Sequence, residues 1–339
     1  MLEYIKKGAP QFKANLHSHS NLSDGTLTPE ELKAAYKSRG YSVLAITDHE
    51  RPHDHSALSD DDFLMLTAYE AHIRHSPEGK SDLYGPEIHI NLISREPHNL
   101  ALIDYSPYYA GRLSEEEKNG GIPLIMPDRV RDYTPEYINH FVEKANRHGY
   151  ICTHNHPTWS LEAHETVAQY RGFFSMEMCN YNSHMAHHIE YNANLYDRLM
   201  RDGRRIFCHS VDDDHNRKPF DTPGSDSFGG FAMILAEELT YPAIIDALEK
   251  GNFYSSMGPE IHELTFDGPT VHIETSPVTQ IAMIYGAKRP QAFLASEDEP
   301  ITSADFVIPE GAPYVRFTLC DAHGRHTDTR GFFRDELGI

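Results

Sequence analysis

The sequence predicts an α/β protein, with strands and helices alternating through residues 1–260 and a small antiparallel β domain over residues 261–339. Three observations carry that expectation. Short apolar runs alternate with capped amphipathic segments as far as Ser256. Histidines and carboxylates recur where those runs end. From His262 onward the runs shorten, alternate in polarity and are divided by Asp267-Gly268-Pro269, Gly311-Ala312-Pro313 and His323-Gly324, as in strands joined by turns.

Asn15-Leu16-His17-Ser18-His19 follows an apolar strand. Successive strand side chains alternate faces, so His17 and His19 point the same way, and Asp24 follows closely. Thr28-Pro29-Glu30-Glu31 supplies an N-cap, a proline at the first helical position and a capping-box carboxylate, which starts a helix ending at Gly40. Tyr41–Ile46 reads as a buried strand delivering Thr47-Asp48-His49. In a right-handed strand–helix–strand unit both strand ends lie at one edge, so His17, His19, Asp24 and His49 are expected to converge.

These motifs, His17-Ser18-His19, Ser23-Asp24-Gly25 and Ile46-Thr47-Asp48-His49 in that order, resemble those of the polymerase and histidinol phosphatase (PHP) family of metal-dependent phosphoesterases. The resemblance covers roughly residues 12 to 260 and implies a distorted seven-stranded (β/α) barrel with a multinuclear, trinuclear when full, metal centre. It departs from many relatives at Ala68-Tyr69-Glu70 and at Trp159, which stands after His-Pro where some carry an arginine.

Further along, Phe63–Tyr69 reads as a buried strand with Glu70 at its C-terminal end, a candidate bridging carboxylate. A Gly/Pro-rich connection from Ser76 to Pro86 leads to a returning strand, Glu87–Ile93, whose His89 the resemblance marks as a ligand. Residues 95–133 hold no sustained period and read as an insertion at the barrel mouth, where loops carry specificity. A capped helix from Thr134 precedes the strand Tyr150–Thr153, which ends in His154-Asn155-His156-Pro157. The resemblance selects His156 as ligand and leaves His154 as a supporting group or proton donor. Strands at 172–178 and 205–211 follow, the second ending in Asp212-Asp213-Asp214-His215, whose D-x-H spacing puts Asp213 and His215 on one face. His184, His187 and His188 read as helix-face or cleft-rim residues. A strand at 230–236, the helix 243–250 and the strand 253–256 complete the alternation.

The candidate ligands are therefore His17, His19, Asp24, His49, Glu70, His89, His156, Asp213 and His215. Histidine nitrogen with carboxylate oxygen suits zinc, manganese or iron better than calcium or magnesium. The resemblance groups His17, His19, Glu70 and Asp213 on one ion, Glu70, His89 and His156 on a second, and Asp24, His49 and His215 on a third, so two to three divalent metal ions are expected. Such sites suit displacement at phosphorus, with a metal-bound hydroxide as nucleophile. The implied substrate is a small phosphomonoester or phosphodiester, such as a nucleotide, an oligonucleotide end or a sugar phosphate. Arg51, Arg74, Arg217 and Lys218 lie near ligand motifs, and Arg217 and Lys218 are the candidate substrate contacts. Two rival readings are a metal-dependent hydrolase of a C–N or C–O bond and a non-catalytic module braced by closed metal sites.

A formal charge of −21 argues against long nucleic acid held through a basic surface. There is no G-x-S-x-G, H-E-x-x-H or P-loop motif. Cys152, Cys179, Cys208 and Cys320 form no C-x-x-C pair, and with no apolar span or signal-like start the expectation is a cytoplasmic protein with reduced thiols and no membrane contact.

Overall fold

The computed structural model describes residues 1–75, 83–186, 190–296 and 299–339. Apolar runs near the N-terminus form β1 (Leu2–Ile5) and β2 (Gln11–Asn15), and the Thr28 capping box starts α1 (Pro29–Ser38) as expected. The crossover returns as β3 (Val43–Ile46), parallel to β2, and β4 (Leu64–Arg74) lies parallel to β3. Two differences from the sequence expectation follow. β4 runs on past Glu70 to Arg74, so Glu70 sits within a strand rather than at its end. β5 (Glu87–Ser94) then pairs antiparallel with it, and β6 (Tyr150–His154) antiparallel with β5, so the parallel run is broken on both sides of β5.

Alternation resumes with α2 (Pro135–Arg147) packed on β6, the short α3 (His164–Val167), and β7 (Ser175–Asn180) parallel to β6. Next come α4 (Tyr181–Met185), α5 (Ala193–Arg201) and β8 (Phe207–Val211), parallel to β7. β9 (Phe231–Leu235), α6 (Tyr241–Lys250) and β10 (Phe253–Ser256) follow, with Gly251 closing α6 in the left-handed conformation. β9 lies antiparallel to both β2 and β10.

The remaining strands are β11 (Ile261–Asp267), β12 (Thr270–Val278), β13 (Gln280–Ile284), β14 (Gln291–Leu294), β15 (Ile301–Val307), β16 (Tyr314–Cys320), β17 (His326–Asp328) and β18 (Phe332–Phe333), and α7 (Arg334–Leu337) ends the chain. Their pairing is antiparallel, as the turn-divided runs imply. One 14-stranded sheet runs β14-β13-β16-β17-β10-β9-β2-β3-β4-β5-β6-β7-β8, with β18 on β16, and a second runs β1-β11-β12-β15.

The protein is thus mixed α/β, but the expected closed seven-stranded (β/α) barrel is not formed. Antiparallel pairing on both sides of β5 replaces two parallel steps, and among the described residues no ladder joins β8 back to β2. Beyond their C-terminal ends a single bridge, Ser18 to Asp214, brings the two segments together, with the His19 amide donating to the Asp214 carbonyl and the Asp213 amide to that of His17. That one bridge is enough to gather the motif residues at one edge. Among the described residues, no helix is long and apolar enough to cross a membrane.

Candidate metal centre

The nine candidate ligands meet at this edge. Each of four groups, His19-Asp24-His49-His215, His17-Glu70-His156, His17-His19-Asp213 and His49-Glu70-His89, has its donor atoms within 4.8 Å of one another. The backbone bends to make this possible. Asp213 and His156 adopt φ of 55° and 25°, and Glu50, next to His49, adopts 51°; such conformations cost energy and cluster where structure over-determines them. Asp24 is brought back over the two histidines by a tight turn at Gly25, where a Cβ would lie 2.0 Å from the His19 carbonyl oxygen.

Distances within the cluster have the scale of ligands facing common centres. His17 Nε2 lies 3.2 Å from His19 Nε2, from Glu70 Oε1 and from Asp213 Oδ1, and His19 Nε2 lies 3.0 Å from Asp213 Oδ1. Glu70 Oε1 is 3.2 Å from His89 Nδ1 and 3.4 Å from His156 Nε2. Asp24 Oδ1 is 3.4 Å from His215 Nε2 and 3.6 Å from His49 Nε2. Donors at tetrahedral zinc distances stand about 3.3 Å apart. His49 Nδ1 and Glu70 Oε2 approach to 2.9 Å, yet both are buried and neither makes a hydrogen bond, nor does His89 Nε2. Such orphaned donors are costly without a partner, and an N/O donor set of this kind fits divalent cations such as zinc, manganese or iron.

Supporting contacts fix the donors' orientation. Glu177, fully buried on β7, receives His17 Nδ1 at 2.7 Å, and its other oxygen accepts the His156 amide and the Asn180 side-chain amide. Asn180 also donates to Asp213, and Asn155 donates to Glu70 at 2.8 Å. A carboxylate on the far nitrogen of a metal-binding histidine fixes its tautomer. Sequence reading missed Glu177, although it stands two strand positions before Cys179 at the end of an apolar run, where β-alternation offers a signal. The aspartate run is divided by its geometry. Asp213 faces the cluster, whereas Asp212 caps the amides of Phe228, Gly229 and Gly230, and Asp214 accepts from Asn15, Tyr36 and Asn216.

The electrostatics follow from crowding three carboxylates among imidazoles. Burial works to raise the Glu70 carboxyl, but His89, His17 and His49 around it hold it well below the usual range. Burial likewise works against protonation of His89 and His215, yet Glu70 and Glu87 hold His89 up to about 10, and Asp24 with Asp213 holds His215 up to about 9. Burial, with His215 and His49 beside it, pushes His19 down to about 4.

The cluster floors a cavity of about 580 Å³ whose wall includes His72, Tyr108, Tyr109 and Trp159, with Arg74, Arg112 and Arg217 also lining it. Of the other candidates, Arg217 reaches Asp24 at 3.2 Å, while Lys218 is exposed and is not part of the lining. His154 does not line the cavity either. Its Nε2 is bonded to Glu162, which also accepts from Tyr133 and Tyr170, so the proton-donor expectation finds no position from which to act. Arg51 is committed to Glu117 and the Leu22 carbonyl, and Arg74 is paired with Glu87. His184 lies on α4, and His187 and His188 lie outside the described residues, as does most of the Ser76–Pro86 connection. Cys152, Cys179 and Cys208 are buried free thiols.

No protein-family model matches the chain, and no curated protein matches it. Among solved structures it is similar to a two-domain protein from Bacteroides vulgatus containing a predicted PHP-like metal-dependent phosphoesterase, at 15% identity over 94% of each chain and a TM-score of 0.46. A protein from Bifidobacterium adolescentis described as a metal-dependent phosphoesterase is also similar, at 15% identity over 62% of this chain and 91% of that one, TM-score 0.35. So is an amidohydrolase from Chromobacterium violaceum with bound sulfate and no metal, at 14% identity over 71% and 96%, TM-score 0.39.

Proposed function

We propose that the protein is a metal-dependent phosphoesterase that hydrolyses a small phosphomonoester or phosphodiester at a centre of two to three divalent ions. The observation that carries the reading is the gathering of His17, His19, Asp24, His49, Glu70, His89, His156, Asp213 and His215, with orphaned donors among them, all but His17 and His19 lining an open cavity. Divalent cations there would polarise phosphoryl oxygens and make a water nucleophile available near neutral pH. The chain's own residues supply the rest. Glu177 holds His17 with Nε2 turned inward, Asn155 and Asn180 fix the carboxylates of Glu70 and Asp213, and Arg112 and Arg217 give the cavity wall a positive side.

Partial exposure of the His49 and Asp24 side chains, 21% and 23%, supports an accessible centre over closed structural metals. The test is hydrolysis of a panel of small phosphoesters by metal-loaded protein, read as phosphate from monoesters and as phosphomonoester plus alcohol from diesters, beside metal content of the parent and of an Asp213→Asn, His215→Ala variant. Turnover with two to three ions per chain, both lost in the variant, is expected. A loaded protein that hydrolyses none of the panel overturns the reading.

A further inference from the structure

Trp159, the single tryptophan of the chain, stands beside the cluster and is not used by the proposed chemistry. Its ring lies edge-to-face against His156 at 4.9 Å and 80°, and against His89 at 5.3 Å and 61°. The residue is 38% exposed and lines the cavity.

The turn that presents it is held from below. Glu190 is fully buried, and its carboxylate accepts the Trp159 amide at 2.6 Å and the Thr158 amide at 3.0 Å. Asn192 ties the same arrangement together by donating to Glu190 and accepting from the Thr158 hydroxyl. A buried carboxylate is costly unless hydrogen bonds satisfy it, and here three amide N–H groups do so, which ties the turn to Glu190. Tyr108 and Tyr109 also line the cavity. A volume of about 580 Å³ falls in the range of small-molecule sites and leaves room for a sizeable group beyond a phosphoryl group.

We infer that Trp159, fixed by Glu190, is a specificity-determining platform for a flat ring in the leaving group, so that the preferred substrate is a phosphoester of a ring-bearing alcohol rather than of a small aliphatic one. A rigid aromatic already in place binds another ring with little ordering cost. The inference rests on the phosphoester reading of this site.

The experiment compares benzyl phosphate with propyl phosphate, two alkyl esters differing in the ring, on metal-loaded parent, Trp159→Ala and Trp159→Phe. In the parent, KM is expected to be lower for the benzyl ester. Trp159→Ala should raise that KM by roughly two- to tenfold and leave the propyl KM and the metal content unchanged, and Trp159→Phe should restore most of the loss. An equal KM rise for both esters, or loss of metal in Trp159→Ala, overturns the proposal and makes the indole a shield for His89 and His156. Trp159 fluorescence is titrated in parallel with benzylphosphonate and propylphosphonate, which are not hydrolysed. Saturable quenching by the benzyl compound alone, in a protein that hydrolyses neither ester, upholds the platform while the phosphoester reading falls. Quenching by neither, or equally by both, overturns the platform.

Discussion

Two buried charge networks lie side by side in this protein and are built on opposite terms. In the first, Arg131 forms a two-pronged pair with Glu50 at 2.5 and 2.9 Å, and its remaining donors reach the carbonyls of His72, Ile103 and Asp104. Lys144 and Tyr137 complete it by donating to the Asp104 carboxylate. Each charge there has a protein counterpart, and the network joins the 95–133 segment to β4. In the second, begun one residue away at His49, the carboxylates of Glu70 and Asp213 face imidazoles and take one amide donor each from Asn155 and Asn180, and His49 Nδ1, Glu70 Oε2 and His89 Nε2 make no hydrogen bond. A buried charge completed by protein is a joint, whereas one left to a circle of metal-ligand side chains is a place for cations.

The largest effect expected to sharpen this contrast is on the joint. Arg131→Ala leaves the Glu50 carboxylate buried and unpaired, and should cost about 3–5 kcal/mol in urea unfolding, by a similar amount in metal-free and metal-loaded protein. Chelation should act on the other network alone. With free metal at roughly 1,000 times its dissociation constant, loading stabilises by about 4 kcal/mol, read as a rise in thermal midpoint that Arg131→Ala keeps and Asp213→Asn loses. Glu177→Gln is expected to weaken metal affinity about 10- to 100-fold in a competition titration while leaving a folded protein. Unchanged affinity would remove Glu177 from the centre.

A further effect is in pH. His89 and His215 are held up to about 10 and about 9 in the metal-free protein, above their ordinary values. A group whose pKa is raised by folding contributes stability that is fully present below its unfolded value and fades as pH rises through the folded one. Metal-free protein should therefore lose stability between pH 7 and 10, whereas in loaded protein the same imidazoles are already deprotonated and this dependence disappears. A flat metal-free profile over that window would break the comparison.

The sequence by itself determined the local pieces. The capping box at Thr28, the apolar runs before His17, His49, His154 and Asp213, and the turn residues after Asp267 are short-range signals, because backbone sterics and side-chain periodicity act over a few residues. Strand spacing paired His17 with His19 and Asp213 with His215, whereas His89 and His156 were marked by the resemblance, since His154 has the same spacing as His156 and turns to Glu162 instead.

Only the tertiary structure decided how the pieces close. β5 pairs antiparallel on both sides, the sheet stays open, and a bridge between Ser18 and Asp214 draws the two ends together. Nothing in the local pattern of Glu87–Ser94 distinguishes a parallel from an antiparallel neighbour, since a buried strand reads as apolar in either case. Strand alternation hints at Glu177, but its role and that of Glu190 were illegible likewise, because a buried carboxylate is explained by partners 160 and about 30 residues away in sequence. Those contacts exist only after the chain has packed.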